Sequence, residues 1–171
     1  PPRSTLFPYT TLFRSLDVSS LLDEYFNIKN NIYNHVSDNY LSGKKILLAE
    51  DVLINAEIIT ELLNSKNIIT THVENGKLAY EKFMEDDNYF DAILMDIRMP
   101  LMDGLESAAL IRKSDKRNSK TIPIIALTAN AFDEDVKLSL QVGMNAHLSK
   151  PIDPKQLFKI LKELIYKNEV L

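Results

Sequence analysis

Between residues 44 and 166 the sequence repeats one pattern five times: a short apolar run closing on polar residues, then a stretch with apolar side chains at helical spacing. The runs are "KKILLAE", "NIITTHVEN", "DAILMD", "IPIIALTA" and "NAHLSK". Each is too short for a helix of ordinary length and reads as a strand; Pro123 is tolerated because it stands at the start of the fourth. The first intervening helix carries Ile54, Ile58, Ile59, Leu62 and Leu63. Asn75 and Gly76 turn the chain into the second, with Leu78, Ala79, Phe83 and Met84 on its apolar face. Asp103 followed by Glu106 reads as an N-cap with a reciprocal partner three residues on, so the third helix begins near Gly104 and carries Leu105, Ala108, Ala109 and Ile111. Phe132, Val136 and Leu140 line the fourth. Asp153-Pro154 caps and starts the last, whose face is Leu157, Phe158, Ile160, Leu161, Leu164 and Ile165. Five strands each followed by a helix predict an α/β domain, a doubly wound parallel sheet covered on both faces.

That architecture locates the chemistry. In such sheets ligands collect beyond the carboxyl ends of the strands, beside the switch in strand order. Glu50 and Asp51 end the first strand, Asp96 the third, Thr128 the fourth and Lys150 the fifth, so all five converge on one rim. Three carboxylates held together repel by roughly 4 kcal/mol per pair at 4 Å in an effective dielectric near 20, so a cation is expected among them. Hard oxygen ligands without histidine or thiol suit Mg²⁺ or Mn²⁺, which also bind phosphate oxygens. A phosphoryl group is then the natural substrate, with a carboxylate as covalent nucleophile and the Lys150 ammonium offsetting the transferred charge.

Composition narrows the alternatives. A net charge of −4, a pI near 5.4 and no long Lys/Arg cluster give no nucleic-acid surface. There is no cysteine, which excludes disulfides and cysteine-ligated zinc and is compatible with a reducing cytoplasm. No apolar run approaches the length that spans a bilayer, so no membrane contact is expected of this segment.

With these residues assembled, the sequence resembles the receiver domain of two-component response regulators, most closely the receiver at the C-terminus of hybrid sensor histidine kinases. The resemblance covers about residues 44–166 and is carried by "ILLAED", "ILMDIRMPLMDG", "IPIIALTAN" and "GMNAHLSKPID" in the family's order and spacing. It implies a flavodoxin-like (βα)5 fold with strand order 2-1-3-4-5. It further implies that Asp96 is the phosphoacceptor, that Asp51 and Asp96 bind Mg²⁺ (or Mn²⁺) directly with the Arg98 backbone carbonyl, and that Glu50 binds it through water. Thr128 matches the switch hydroxyl, Lys150 the phosphate-contacting lysine, and Lys150-Pro151 a bond that is cis in the family. His147 stands where the family places a rotating aromatic, often Tyr or Phe, and Val52 where many relatives have Asn. Arg98 and Asn130, two residues past Asp96 and Thr128, lie where side chains tune the lifetime of the acyl phosphate. The implied donor is a phosphohistidine on a histidine kinase core or a histidine phosphotransfer domain.

Rival functions fit less well. An aspartyl phosphatase needs a second acid two residues past the nucleophile, where this chain has Arg98. A flavin carrier needs a phosphate-cradling glycine- or serine-rich loop after the first strand, where this chain has "EDVLIN". The remaining alternatives are a stand-alone response regulator and a receiver that docks without phosphorylation. Whether the segment counts as an enzyme stays open, since self-dephosphorylation is the activity expected of it and kinase activity belongs to the parent protein.

Elsewhere the residues read as structural: His35 as a linker residue, His72 as a strand residue, Met95, Met99 and Met102 as packing, and Lys44, Lys45, Arg112, Lys113, Lys116 and Arg117 as solvated charges. Residues 5–15, "TLFPYTTLFRS", match the in-frame translation of a sequencing-library adapter, so residues 1–15 are set aside as an artefact. Residues 16–42 read as a linker with a possible short helix, and residues 43–168 as the receiver domain. The expected setting is the cytoplasmic tail of a larger protein, whose missing upstream segments could anchor it in a membrane.

Overall fold

The structure, a computed structural model, describes residues 39–85, 90–129 and 134–170. The expected helix within residues 16–38, as well as Asn130 and Phe132, lie outside them. In chain order the elements are β1 (Lys45–Ala49), α1 (Leu53–Asn64), β2 (Ile69–Val73), α2 (Gly76–Glu85), β3 (Ala92–Asp96), α3 (Gly104–Lys113), β4 (Ile124–Thr128), α4 (Glu134–Gln141), β5 (Ala146–Ser149) and α5 (Pro154–Val170). The five strands form one parallel sheet in the order β2-β1-β3-β4-β5, so the doubly wound fold and its strand order are as expected.

β1, β3 and β4 are apolar throughout because each presents alternate residues to two cores. Ile46, Leu48, Leu94, Ile125 and Leu127 face α1 and α5, where Ala56, Ile59, Leu63, Leu157, Leu161 and Ile165 meet them. Leu47, Ile93, Met95, Ile124 and Ala126 face α2 and α3, packing on Ala79, Phe83, Ala108 and Ile111. Leu41 is buried in the first of these cores, and Tyr40 packs against it.

The helix boundaries follow local signals. The Asp103 side chain accepts from the Glu106 N–H at 2.8 Å and Asp153 from the Gln156 N–H at 3.0 Å, each capping the helix that begins one residue later. Asn75 does more than turn the chain: its side chain accepts from Leu78 N–H at 2.9 Å and caps α2. Gly76 is where α2 meets the next loop; a Cβ there would lie 2.6 Å from the carbonyl oxygens of Met102 and Asp103.

Three helical faces differ from expectation. On α2 the sheet takes Ala79 and Phe83, and Leu78 and Met84 are exposed. Seven of the twelve residues of α1 are apolar, more than one stripe can bury. The sheet takes the line Ala56, Ile59 and Leu63, which leaves Ile54 and Ile58 59% and 54% exposed. On α4 the inward line steps in threes, from Val136 to buried Ser139 to Val142, so Leu140 is turned outward.

The basic residues also correct the sequence reading. Arg112 is half-buried, its guanidinium donating to the carbonyl oxygens of Gly143 (2.9 Å), Ser119 (2.7 Å) and Ile122 (2.7 Å) and to Asn145 Oδ1 (2.9 Å). Lys116 donates to the Phe83 carbonyl and lies over the Phe83 ring at 4.7 Å. Lys44 pairs with Glu169 and, at 3.6 Å, with Asp91. Each finds acceptors far along the chain, which no local reading of charge could foresee.

Candidate functional site

The strand order makes the site. β1 and β3 are neighbours with Ala49 opposite Met95, so the residues just past them, Glu50 and Asp51, come beside Asp96, the last residue of β3. β4 flanks β3 on the other side with Asp96 opposite Leu127, and β5 follows with Ser149 opposite Thr128. The Lys150 N–H continues that ladder by donating to Thr128 O at 2.8 Å. Glu50, Asp51, Asp96, Thr128 and Lys150 therefore share one end of the sheet.

One oxygen from each of Glu50, Asp51 and Asp96 lies within 4.8 Å of the other two. Glu50 is fully buried, Asp96 buried and Asp51 exposed, so the cluster is walled on one side and open on the other. Lys150 Nζ donates to Asp96 Oδ2 at 2.5 Å and stands 2.6 Å from Glu50 Oε2. The ammonium thus bridges the two buried carboxylates, one of them Glu50, by contacts of hydrogen-bond length. Asp96 Oδ1 accepts from the Arg98 N–H at 3.2 Å.

Burial pushes the Asp96 carboxyl above its ordinary pKa, with the Glu50 charge adding to the rise and Lys150 and the Arg98 N–H opposing it. Burial opposes the Lys150 charge too, but its contacts with Asp96 and Glu50 outweigh that and hold its pKa above the ordinary value. One ammonium among three carboxylates leaves two negative charges uncompensated, with repulsion of roughly 3–4 kcal/mol per carboxylate pair. A divalent cation matches that deficit, and the cluster of three carboxylates, an all-oxygen donor set, fits Mg²⁺ or Mn²⁺.

The remaining expected residues are also near this rim. Thr128 is buried at the end of β4, and His147 is half-buried on β5, opposite Ala126. The Lys150-Pro151 bond is cis. The Arg98 guanidinium meets Asp135 of α4, Nη2 to Oδ2 at 3.2 Å. Asn130 lies outside the described residues.

Besides Asp135, three residues around the site were not singled out for it in the sequence. Asn55 donates from Nδ2 to Glu50 Oε1 at 3.0 Å and so fixes the buried carboxylate from the first turn of α1. His72 places Nε2 2.8 Å from the Glu50 carbonyl oxygen, which makes it a structural partner of the site's backbone. Gly104 brings α3 against the acid: a Cβ there would fall 2.0 Å from the Asp96 carbonyl oxygen. The helical position of Asn55 and the glycine just past the Asp103 cap are visible in the sequence, but the contacts they make are tertiary.

The family model for the response regulator receiver domain matches residues 46–162. The chain is 42% identical over 125 residues to hybrid signal transduction histidine kinase M of Dictyostelium discoideum, covering 72% of this chain and 5% of that protein's length. Among solved structures it is similar to the receiver domain of sensor histidine kinase PA1611 from Pseudomonas aeruginosa PAO1, which has a magnesium ion coordinated in its active-site cleft. That likeness has a TM-score of 0.66 and 39% identity, covering 72% of this chain and 98% of the other. It is also similar to the receiver domain of the Saccharomyces cerevisiae response regulator Ssk1, solved with the histidine phosphotransfer protein Ypd1, at a TM-score of 0.65 and 30% identity, covering 72% and 90%.

Proposed function

The chain belongs to the response regulator receiver domain family, and from that premise we propose that Asp96 accepts a phosphoryl group from a phosphohistidine in a phosphorelay. The observation that carries this reading is the buried Asp96 carboxylate, held 2.5 Å from Lys150 Nζ with two further carboxylates within reach of one cation. A carboxylate oxygen of Asp96 attacks phosphorus in line; the O–P bond forms as the N–P bond breaks, and the electron pair stays on the imidazole nitrogen. Lys150 moves with the charge, from the free carboxylate to a phosphoryl oxygen. Thr128 donates its hydroxyl to another, and Asn55 keeps Glu50 turned toward the site.

Asp51, Asp96 and the Arg98 carbonyl would hold Mg²⁺, with Glu50 acting through water. The ion supplies positive charge that offsets the carboxylates and the transferring group. The magnesium in the PA1611 receiver supports this assignment. The phosphoryl group adds roughly −1.5 to −2 charges at pH 7, taking phosphorylated hydroxyls as the guide, and biases the face built from α4, β5 and α5 between two populations, with Thr128 and His147 at the switch.

The donor would be a histidine kinase core or a histidine phosphotransfer domain, and the Ypd1 complex of the Ssk1 receiver supports that class of partner. The likeness to hybrid kinases supports a parent protein of that kind. In our reading of the sequence, residues 43–168 are its receiver domain, residues 16–42 a linker and residues 1–15 adapter-derived. A cytoplasmic setting accords with the family; no helix among the described residues is long and apolar enough to cross a membrane.

The test is the intact mass of the chain after treatment with acetyl phosphate, with and without Mg²⁺, beside Asp96→Ala. A Mg²⁺-dependent, hydrolysable gain of one phosphoryl group, absent in Asp96→Ala, is the expected result. A folded protein that gains none would be a receiver that docks without phosphorylation.

A further inference from the structure

We propose that Asp135 is a positioning residue that holds the Arg98 guanidinium away from the phosphoryl site and thereby keeps the Asp96 acyl phosphate short-lived. The inference rests on the phosphoacceptor reading of Asp96. Nothing in the sequence pointed to Asp135, which enters only because α4 brings it to the rim.

The two halves of Arg98 sit differently. Its backbone N–H is bonded to Asp96 Oδ1 at 3.2 Å, so the side chain is rooted beside the acceptor. Its guanidinium is instead held by Asp135, and Arg98 and Asp135 line one cleft of about 670 Å³ that reaches the site at Asp51. The Arg98 side chain is 79% exposed, against 20% for Asp135. Asp135 also stands in the first turn of α4, where a carboxylate is favoured by the helix N-terminus whether or not Arg98 is present. Asp135 is therefore the better-buried partner and Arg98 the solvent-exposed one.

An exposed ion pair of this kind is weak and readily exchanged. A phosphoryl group on Asp96 offers the same guanidinium a site with more charge and several acceptor oxygens, in the bidentate geometry that arginine favours. Resetting proceeds when a water oxygen attacks phosphorus on the face opposite the Asp96–phosphorus bond. The new O–P bond forms as that bond breaks, the carboxylate of Asp96 leaves with the electron pair, and the water's protons pass to phosphate and solvent. A guanidinium laid across the phosphoryl oxygens covers that face. By competing for Arg98, Asp135 keeps it open to water.

The experiment loads the full chain with acetyl phosphate and Mg²⁺, removes the donor, and follows the acyl phosphate by intact mass in wild type, Asp135→Asn, Asp135→Glu, Arg98→Gln and the double variant Arg98→Gln/Asp135→Asn. Asp135→Asn should lengthen the half-life roughly two- to fivefold, the range an exposed ion pair can supply. Asp135→Glu should stay near wild type, and the lengthening should vanish in the Arg98→Gln background. A half-life unchanged or shortened in Asp135→Asn, or lengthened equally without Arg98, overturns the inference while leaving the phosphoacceptor reading intact. A chain that gains no phosphoryl group in any variant removes both.

Discussion

Lys150 Nζ stands 2.5 Å from Asp96 Oδ2, the two residues lying at the ends of strands that are separated in the sheet by β4. The same ammonium is 2.6 Å from Glu50, so a single cation from β5 holds together two buried acids from β1 and β3. Removing it leaves those acids facing each other without compensation. Lys150→Met should therefore cost about 2–3 kcal/mol in chelator, somewhat less than a fully buried pair because Lys150 is partly exposed. Mg²⁺ should recover more stability in the variant than in wild type, because it replaces the lost charge. Urea midpoints with chelator and with Mg²⁺ check both; an equal Mg²⁺ increment in the two proteins would detach Lys150 from the metal cluster.

Gly104 tests how closely α3 must approach the acid. A Cβ at that position would lie 2.0 Å from the Asp96 carbonyl oxygen and 2.9 Å from Met95 Cγ, and the first of these neighbours is backbone that cannot rotate away. The Gly104 N–H also donates to Ile97 O at 3.0 Å, so the helix start cannot retreat without losing that bond. Gly104→Ala should destabilise by about 2–3 kcal/mol and also lower the extent of phosphorylation in protein that remains folded. A variant with the stability loss but wild-type phosphorylation would mean that the clash relaxes into α3 and spares Asp96.

How far the site could be read in advance depends on what fixes each residue. Glu50, Asp96, Thr128 and Lys150 were legible because each ends a strand, and parallel topology alone brings strand ends together. Asn55 and Asp135 were not, since their roles depend on how α1 and α4 are rotated against the sheet. The exposed Ile54 and Ile58 show the same limit: the apolar content of α1 allowed several faces, and packing chose the one with Ala56. Lys44 and Arg112 were misread as solvated because their acceptors come from positions remote in sequence.

The segment entering β1 is clasped to the end of α5. Tyr40 donates to Glu169 Oε2 at 2.5 Å, Lys44 pairs with the other Glu169 oxygen, and the Tyr40 and Tyr166 rings meet edge to face at 6.0 Å. Burial opposes the Glu169 charge, but Lys44 and Tyr40 outweigh it and its pKa is lowered; burial likewise opposes Lys44, and Glu169 and Asp91 outweigh it to raise its pKa. A lowered carboxylate contributes stability above its unfolded pKa, near 4.3, that is lost as pH falls through the folded value. A raised lysine contributes stability below its unfolded pKa, near 10.4, that is lost as pH rises through the folded value. Glu169→Gln should thus cost about 0.5–1 kcal/mol at pH 7, limited because Glu169 is 43% exposed, and nothing once both proteins are titrated well below pH 4. Urea unfolding of the pair at pH 7 and pH 3 checks the sign; a cost that persists undiminished at pH 3 would assign the effect to packing.

Arg112 offers a perturbation at the other end of the sheet. Its acceptors, the carbonyls of Ser119, Ile122 and Gly143 and the Asn145 side chain, cluster where β4 and β5 begin, away from Asp96. Burial lowers its pKa to about 10, which leaves it charged at neutral pH and held by carbonyl dipoles. Lysine has the charge but no planar fork to span four acceptors, so Arg112→Lys strands several of them. The expected cost is about 3 kcal/mol of unfolding free energy, with Asp96 phosphorylation unchanged in the folded fraction. Asn145 Oδ1 also accepts from the Ile124 N–H at 2.8 Å, so Asn145→Ala and Arg112→Lys should be less than additive in a double-mutant cycle. Strict additivity would mean that the two residues stabilise the strand starts independently, whereas a loss of phosphorylation would show that this end of the sheet is coupled to the acidic rim.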